Sequence, residues 1–228
     1  MYSKDKNNAI SDLITHSTPR QDFFLFLIFS VCMSTIGLLQ NNVAIIIGSM
    51  LIAPVLYPIL GIAMGTVMAN KLLIFRSVRT FFSSFILAIG AGALVTLFFH
   101  IPANGDFFEL TPELYLRITP TLADAAVAVI AGLAASFALV KPQLSESLPG
   151  VAISVALVPP LAAVGIGITQ LDLAIITGAL IQFLINTLGI LFACVTVFSL
   201  MNFYVKSDIA EEVIKEEDKE LKKINGKK

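Results

Sequence analysis

The chain of 228 residues is 57% hydrophobic and only 14% charged, and its mean hydropathy is +0.88, whereas soluble domains carry about 25% charged residues. This composition excludes an ordinary soluble domain and predicts an integral membrane protein. Sixteen acidic and fifteen basic residues nearly cancel, so the position of the charges along the chain is more informative than their sum.

The first twenty residues are polar and of mixed charge. They lack the apolar core of a cleaved secretory signal, so residues 1–22 are predicted to form a retained cytoplasmic segment.

Long uncharged tracts follow, and each must be helical because only a helix satisfies its own backbone amides in lipid. About 20 residues cross the hydrocarbon, which predicts an all-α, polytopic protein with six transmembrane helices. The predicted spans are Phe23–Leu39, Val43–Ala69, Thr80–Phe99, Thr121–Val140, Leu148–Ile168 and Leu173–Phe203.

The basic residues predict the orientation, because Lys and Arg in short loops resist translocation. With both termini in the cytoplasm, fourteen of the fifteen basic residues lie inside and only Arg117 lies outside. The predicted units are therefore a transmembrane repeat at 23–99, an extracytoplasmic loop at 100–120, a second repeat at 121–203 and a charged cytoplasmic helix or tail at 204–228.

Two segments outside the spans have alternative interpretations. In the outer loop, Thr111 and Pro112 could start a short interfacial helix, or the segment could be a plain connection. In the tail, apolar residues recur at helical spacing. This pattern is typical of an amphipathic helix that pairs with copies of itself or with the membrane surface, or of a solvated, partly frayed helix.

An internal repeat relates the second and fifth spans, since an apolar run with central prolines is followed by glycines in each. Proline removes a backbone donor and clashes with the preceding turn, so both spans are predicted to break, at Pro54 and Pro58 and at Pro159 and Pro160. Each unit holds an odd number of spans, which makes the units 3+3 inverted-topology repeats, an architecture common among secondary transporters.

Broken helices at membrane depth persist where they are buried in protein or line a wet cavity, so we predict a pathway between the repeats. Simple kinks in packed helices are the alternative. Polar residues in the spans could line this pathway or tie helices together by hydrogen bonds. With the four prolines, the predicted lining is Asn41, Asn42, Ser49, Tyr57, Ser154, Gln182 and Asn186.

Two carboxylates lie at span edges. Asp124 and Asp172 could each cap a helix N-terminus, and Asp124 is also a candidate proton or cation site, because an ionisable group held within a span is costly.

No catalytic motif, phosphate loop or metal-ligand spacing is present, so we expect neither an enzyme nor a bound metal or cofactor. Cys32 and Cys194 lie in apolar runs and are expected to be core residues. The expected partners are the lipid bilayer, an unidentified small solute or ion, and further copies of the chain, with no nucleic acid.

Two runs carry a family resemblance: GLLQNNVAIIIGSMLIAPVLYPILGIAMG from Gly37 and LPGVAISVALVPPLAAVGIG from Leu148. They resemble the bacterial and archaeal DUF389 family of "uncharacterised hydrophobic domain" membrane proteins, over Thr18 to Tyr204. The resemblance implies a membrane fold and carries over no substrate or catalytic residue.

The sequence thus favours a membrane transporter or channel for a small solute or ion. The alternatives are a non-transporting oligomeric membrane scaffold or sensor and, less favoured, a membrane-embedded enzyme. Convergence of the polar residues on one cavity would favour transport, and their dispersal would favour the scaffold.

Overall fold

The computed structural model describes residues 3–99, 110–141 and 157–225, and within these ranges the regular structure is helical. The helices are α1 (Ser3–Ser17), α2 (Gln21–Leu39), α3 (Val43–Ile52), α4 (Leu56–Val67), α5 (Lys71–Phe99), α6 (Pro112–Ile118), α7 (Leu122–Val140), α8 (Val158–Gln170), α9 (Leu173–Leu200), a 3₁₀ helix (Phe203–Lys206) and α10 (Ser207–Asn225).

Four of the described helices, α2, α5, α7 and α9, are long and apolar enough to cross a membrane. The α3–α4 pair meets the same criterion as one bent span. The chain is therefore a helical membrane protein. Of the fifth predicted span, the described part contains only the shorter apolar helix α8, and residues 148–156 lie outside the described ranges.

The third span differs from its predicted start at Thr80, because α5 already begins at Lys71. Its first turns carry Arg76, which forms a salt bridge with α10. Charged residues limit the apolar stretch but not the helix. Hydropathy therefore placed the start of α5 too late in the chain.

The predicted break in the second span is confirmed. α3 ends at Ile52, α4 begins at Leu56, and the two helices are bent by 48°. Pro54 lies in the gap, and Pro58 lies in the first turn of α4, where a helix has unpaired N–H groups in any case. The prolines therefore separate two straight half-helices instead of kinking one.

The two helices that follow the proline motifs form the centre of the bundle. Every residue from Val158 to Gly167 in α8 is buried, as are most residues of α4. α8 packs against α2, α5 and α9, and α4 packs against α5 and α9. The short helices α4 and α8 thus occupy the interior, and longer helices surround them.

Two sets of helices have matching lengths and starts. α2 and α7 contain 19 residues each, and α5 and α9 contain 29 and 28. Pro19 and Pro120 each lie two residues before their helix, and Pro58 and Pro160 are each the third residue of α4 and α8. The described helices therefore match in length or start between α2 and α7, between α4 and α8, and between α5 and α9.

The turns before α3, α5 and α9 share one conformation. In each turn, a residue with positive φ comes directly before the residue that caps the next helix. The three residues with positive φ are Asn41, Ala69 and Leu171. The N–H of each cap donates to a glycine carbonyl five residues earlier, in the pairs Asn42–Gly37 (2.8 Å), Asn70–Gly65 (3.0 Å) and Asp172–Gly167 (3.0 Å). This is the left-handed closing turn of a helix C-terminus. It joins α4 to α5 and, at the matching place, α8 to α9.

The matching helices α5 and α9 run in opposite directions. α5 begins beside α10, to which Arg76 is paired. α9 begins beside α6, where a side chain on Gly178 would overlap the Ile118 carbonyl. It ends beside α1, because the carbonyl of Met201 accepts a hydrogen bond from Lys6.

The terminal helices α1 and α10 pack together at one end of the bundle. α1 buries Ile10, Leu13 and Ile14, and α10 buries Ala210 and Ile214. The amphipathic tail helix is therefore confirmed for 207–225, but it pairs with the N-terminal helix of its own chain, a partner that the periodicity did not suggest.

Of the two interpretations of the loop between the third and fourth spans, the short helix is confirmed. α6 has Pro112 as its first residue, and Thr111 caps it by accepting a hydrogen bond from Leu114 N at 3.2 Å. Residues 100–109 of the same loop lie outside the described ranges. Both cysteines are free; Cys194 is buried in the core, as expected, whereas Cys32 is only half-buried.

Candidate functional site

A small cavity lies where the two proline motifs meet. Its volume is about 10 Å³, close to what one water molecule needs. Val55 and Leu56 line it from the start of α4, and Leu157 and Val158 line it from the start of α8. Residues next to both proline motifs therefore line one cavity, and the predicted break at Pro159 and Pro160 stays a prediction.

The two helix starts at this cavity are alike. The residues before the first turns, Val55 and Leu157, give no side-chain cap. Pro58 in α4 and the pair Pro159 and Pro160 in α8 lie in the first turn, where they remove donors that would otherwise be unpaired in the protein interior. The prolines thereby allow a helix to begin inside the bundle. Residues 142–156, which precede α8, lie outside the described ranges.

Ser49 is buried one turn before the break. Its hydroxyl donates to the Ile46 carbonyl at 2.6 Å, and its own carbonyl accepts a hydrogen bond from Ser30 Oγ at 2.7 Å. The Ser30 bond joins α2 to α3, so this polar pair ties two helices together.

Asn41 and Asn42 lie at the opposite end of the bundle from α1. Asn42 caps α3 through a 3.2 Å bond from Ile45 N, and Asn41 Oδ1 accepts a 3.1 Å bond from Glu113 N of α6. Both asparagines therefore stabilise a turn, and their side chains are exposed.

Tyr57 lies on the side of the bundle that holds the termini. Its ring stacks on His16 of α1, with centroids 4.8 Å apart and planes inclined by 19°. The stacking fastens the N-terminal helix to the start of α4. The sequence gives no local signal for this contact, because Tyr57 and His16 lie far apart in the chain.

Gln182 and Asn186 are neighbours on one buried face of α9. Gln182 Nε2 donates to Asn186 Oδ1 at 3.4 Å, and Gln182 Oε1 has no hydrogen-bond partner among the described residues. Next to this pair, Phe183 stacks on Phe81 of α5 with centroids 5.8 Å apart. These two phenylalanines occupy matching positions in α9 and α5, each eleven residues into its helix.

Both edge carboxylates cap helices. Asp124 and Thr121 form a reciprocal capping box at the start of α7, with Thr121 N donating to Asp124 Oδ2 at 2.8 Å. Asp172 accepts from Ala174 N and Ile175 N at the start of α9. The capping interpretation of both residues is confirmed, and the proton or cation role of Asp124 stays a prediction.

The common lining of one pathway also stays a prediction. Among the predicted lining residues that fall within the described ranges, only Pro54 lines either the small cavity or a larger one beside it. Ser154 falls outside the described residues. The other polar residues lie at separate levels of the bundle. Asn41 and Asn42 lie at the α6 end, Ser49 at its contact with Ser30, Tyr57 at the α1 end, and Gln182 and Asn186 on the buried face of α9.

A larger cavity, which the sequence did not suggest, lies under the end of α3. Its volume is about 250 Å³. It lies between the break in the second span and the junction between α1 and α2. Its polar lining is Thr15, His16, Thr18, Arg20 and Asp22, and its apolar lining is Phe23, Phe26, Ile52 and Pro54.

Among the described residues there is no group of three or more His, Cys, Asp or Glu side chains that could hold a metal ion.

Comparison with known proteins gives a family and a relative. The family described as "Domain of unknown function (DUF389)" matches residues 50–192. An uncharacterised protein of the archaeon Methanocaldococcus jannaschii is 31% identical over 192 residues, which is 84% of this chain. The chain spans 57% of that relative's length. No solved structure matches the chain.

Proposed function

Since this chain belongs to the DUF389 family, whose domain has no assigned function, we propose from its architecture that it is a transporter or channel. It moves a small solute or ion across the cytoplasmic membrane, through a pathway between two inverted repeats. The repeats are residues 23–99 and 121–203, each with three crossings.

The inverted relation is supported by the matching helices and their directions. α2, α4 and α5 correspond to α7, α8 and α9 in length and start, and α4 and α8 share the same closing turn. Because α5 and α9 run in opposite directions, the second unit is turned over relative to the first. Phe81 stacks on its own counterpart Phe183, as expected of residues close to a two-fold axis.

Because the polar residues of the described ranges lie at separate levels, the observation that carries the proposal is instead the central cavity between the proline motifs. Val55 and Leu56 face their counterparts Leu157 and Val158 across it. Irregular backbone at membrane depth is found where it lines a pathway or is buried, and substrate sites of inverted-repeat transporters lie where broken helices of both halves meet. At about 10 Å³ the cavity admits no solute, so the pathway is closed there in this conformation.

Both termini lie in the cytoplasm in this proposal. The basic residues favour this orientation, and the contact between α1 and α10 is what an even number of crossings requires. The protein is not an enzyme and needs no cofactor for this activity, since passage through a pathway breaks no covalent bond.

The test measures the rate of solute entry into proteoliposomes by stopped-flow light scattering. The vesicles are exposed in turn to potassium chloride, potassium phosphate, glycine and glycerol. We expect at least one of these solutes to enter faster than into empty vesicles. Ala53→Leu, which adds bulk at the central cavity, should slow that entry.

The matched control is Leu51→Phe, because Leu51 lies two residues away and its side chain is 51% exposed on the outer surface. It should leave the rate unchanged, and both variants must elute as the wild type does on size exclusion. If no solute enters faster than into empty vesicles, transport is wrong and the scaffold interpretation replaces it.

A further inference from the structure

The larger cavity and the central cavity are separated only by the break in the second span. Ile52 is the last residue of α3 and lines the larger cavity, as does Pro54. Ala53 and Val55 line the central cavity. The backbone at Ala53 is extended, with φ −73° and ψ 122°. Successive side chains of an extended segment point to opposite sides, which explains why the residues alternate between the two cavities.

The larger cavity has the chemistry of a space filled with water. Arg20 and Asp22 line it, and a charged side chain in contact with hydrocarbon is costly. The hydroxyls of Thr15 and Thr18 add further polar groups. Its volume of about 250 Å³ leaves room for several water molecules. Charged and hydroxyl side chains thus lie in its lining together with apolar ones, which reach as far as Ile52.

The side on which it opens follows from its neighbours. His16 lies in the last turn of α1, and Arg20, which precedes α2, is paired with Glu217 of α10 at 2.8 Å. The mouth therefore lies at the end of the bundle that holds both termini. α6 and the Asn41 turn lie at the other end, beyond α3.

We propose that the larger cavity is the vestibule through which a hydrophilic solute reaches the pathway from the side of the termini. The segment 52–55 is the barrier between this vestibule and the central cavity. The assignment to a pathway rests on the proposed function, whereas the access of water and the barrier are properties of the fold alone. A lipid tail is the competing occupant, because Phe26 in the lining is 51% exposed on the outer surface.

The test is the accessibility of single cysteines to a charged, membrane-impermeant methanethiosulfonate, sulfonatoethyl methanethiosulfonate. The background is the full chain with Cys32→Ala and Cys194→Ala, in vesicles of both orientations. Ile52→Cys reports the vestibule and Val55→Cys the central cavity. Leu51→Cys is the lipid-facing control, and Glu216→Cys, which is exposed on α10, marks the side of the termini.

We expect Ile52→Cys to react only from the side on which Glu216→Cys reacts. Because the thiolate is the reactive form and needs water to ionise, Ile52→Cys should react at least about tenfold faster than Leu51→Cys. Val55→Cys, behind the barrier, should react as slowly as the control. Each variant must elute as the background protein does, and Pro54→Cys replaces Ile52→Cys if the latter fails to fold.

Three results would overturn the proposal. Reaction of Ile52→Cys with lipid-soluble N-ethylmaleimide but not with the charged reagent means that lipid fills the cavity. Equal reaction rates for Ile52→Cys and Val55→Cys would mean that no barrier separates the two cavities. Reaction of Ile52→Cys from the side opposite to Glu216→Cys would mean that the larger cavity opens away from the termini. Absence of flux with the expected labelling contradicts the proposed function and the assignment to a pathway, while the wet cavity and its barrier stand.

Discussion

At the scale of single residues, glycines mark the closest approaches between helices. A Cβ atom on Gly165 of α8 would lie 2.6 Å from Ala93 N and 2.8 Å from the Gly92 carbonyl carbon of α5. Both are backbone atoms, which cannot rotate away as a side chain can. α8 therefore reaches the centre of the bundle only because it presents no side chain at this crossing.

We expect Gly165→Ala to lower the free energy of unfolding by about 1–3 kcal/mol, the usual cost of overpacking a close contact. Gly90→Ala is the matched control, because a Cβ there meets no atom within 4 Å. It should be neutral, or stabilising by up to about 1 kcal/mol through helix propensity. Thermal unfolding in detergent measures both, and equal effects of the two substitutions would show that the contact is unimportant.

Leu171 is a second residue whose backbone limits its choice of side chain. Its φ is 54°, in the left-handed region, and its side chain is 87% exposed. Glycine adopts this conformation without steric cost, and the exposed leucine offers little packing in return.

Leu171→Gly should therefore raise the free energy of unfolding by about 0.5–1 kcal/mol, since a left-handed conformation costs other residues about 1–2 kcal/mol. Leu173→Gly is the control in the first turn of α9, where the side chain is also exposed. Because α9 is right-handed there, that glycine should destabilise the protein. A loss of stability in both variants would mean that the Leu171 side chain contributes to packing or to membrane insertion.

At the scale of elements, the closing turns combine a glycine with an isoleucine nine residues later. A Cβ on Gly37 would lie 2.8 Å from Ile46 Cγ1, and one on Gly65 would lie 2.9 Å from Ile74 Cγ1. The isoleucine of the following helix thus fills the space above the glycine. This local contact sets how closely two consecutive helices fold back on each other.

Docking of α10 on the rest of the protein depends on one nearly buried carboxylate. Glu217 accepts hydrogen bonds from Thr15 Oγ1 at 2.9 Å and from Arg20 at 2.8 Å, and its side chain is 10% exposed. Asp218 pairs with Arg76 but is 53% exposed. Water screens an exposed pair, so Glu217 should contribute more to holding the helix.

We expect Glu217→Gln to weaken the docking of α10 by about 1–2 kcal/mol, in the range of hydrogen bonds to charged groups. Limited proteolysis within 207–225 should then become faster. The control is the exposed neighbour Glu216, and Glu216→Gln should not change the rate. A Glu217→Gln protein as resistant as the wild type would mean that the apolar contacts of Ala210 and Ile214 suffice.

At the scale of the whole molecule, the two sets of helices place equivalent positions at opposite ends of the bundle. Lys71 begins α5 and Leu173 begins α9, and both side chains are exposed. The start of α5 lies with the terminal helices, and the start of α9 lies with α6.

Lys71→Cys and Leu173→Cys should therefore react with an impermeant thiol reagent from opposite sides of the membrane. Lys71→Cys should share its side with Glu216→Cys. Inside-out and right-side-out vesicles of the cysteine-free background distinguish the sides, and intact cells decide whether the termini are cytoplasmic. Labelling of both positions from one side would rule out the inverted arrangement.

Much of the fold could be predicted from the sequence because the signals act over a few residues. Pro54 and Pro58 forced a break within their own turn. Thr111 and Asp172 each cap a helix by accepting hydrogen bonds from backbone amides two or three residues later in the chain. The apolar tracts located the helices but not their ends. α5 begins at Lys71, nine residues before the predicted start of its span, and the added residues include charged ones.

The candidate site was predicted less well, because it depends on residues far apart in the chain. The sequence by itself determined that the chain is helical in its apolar tracts and that the second span breaks at its prolines, because proline acts within its own turn. The tertiary structure alone decided that Val55 and Leu157 share one cavity, that Tyr57 stacks on His16, and that α10 covers α1. Periodicity predicts that a face is buried without naming its partner, and the larger cavity beside the break in the second span depends on the packing of the whole bundle.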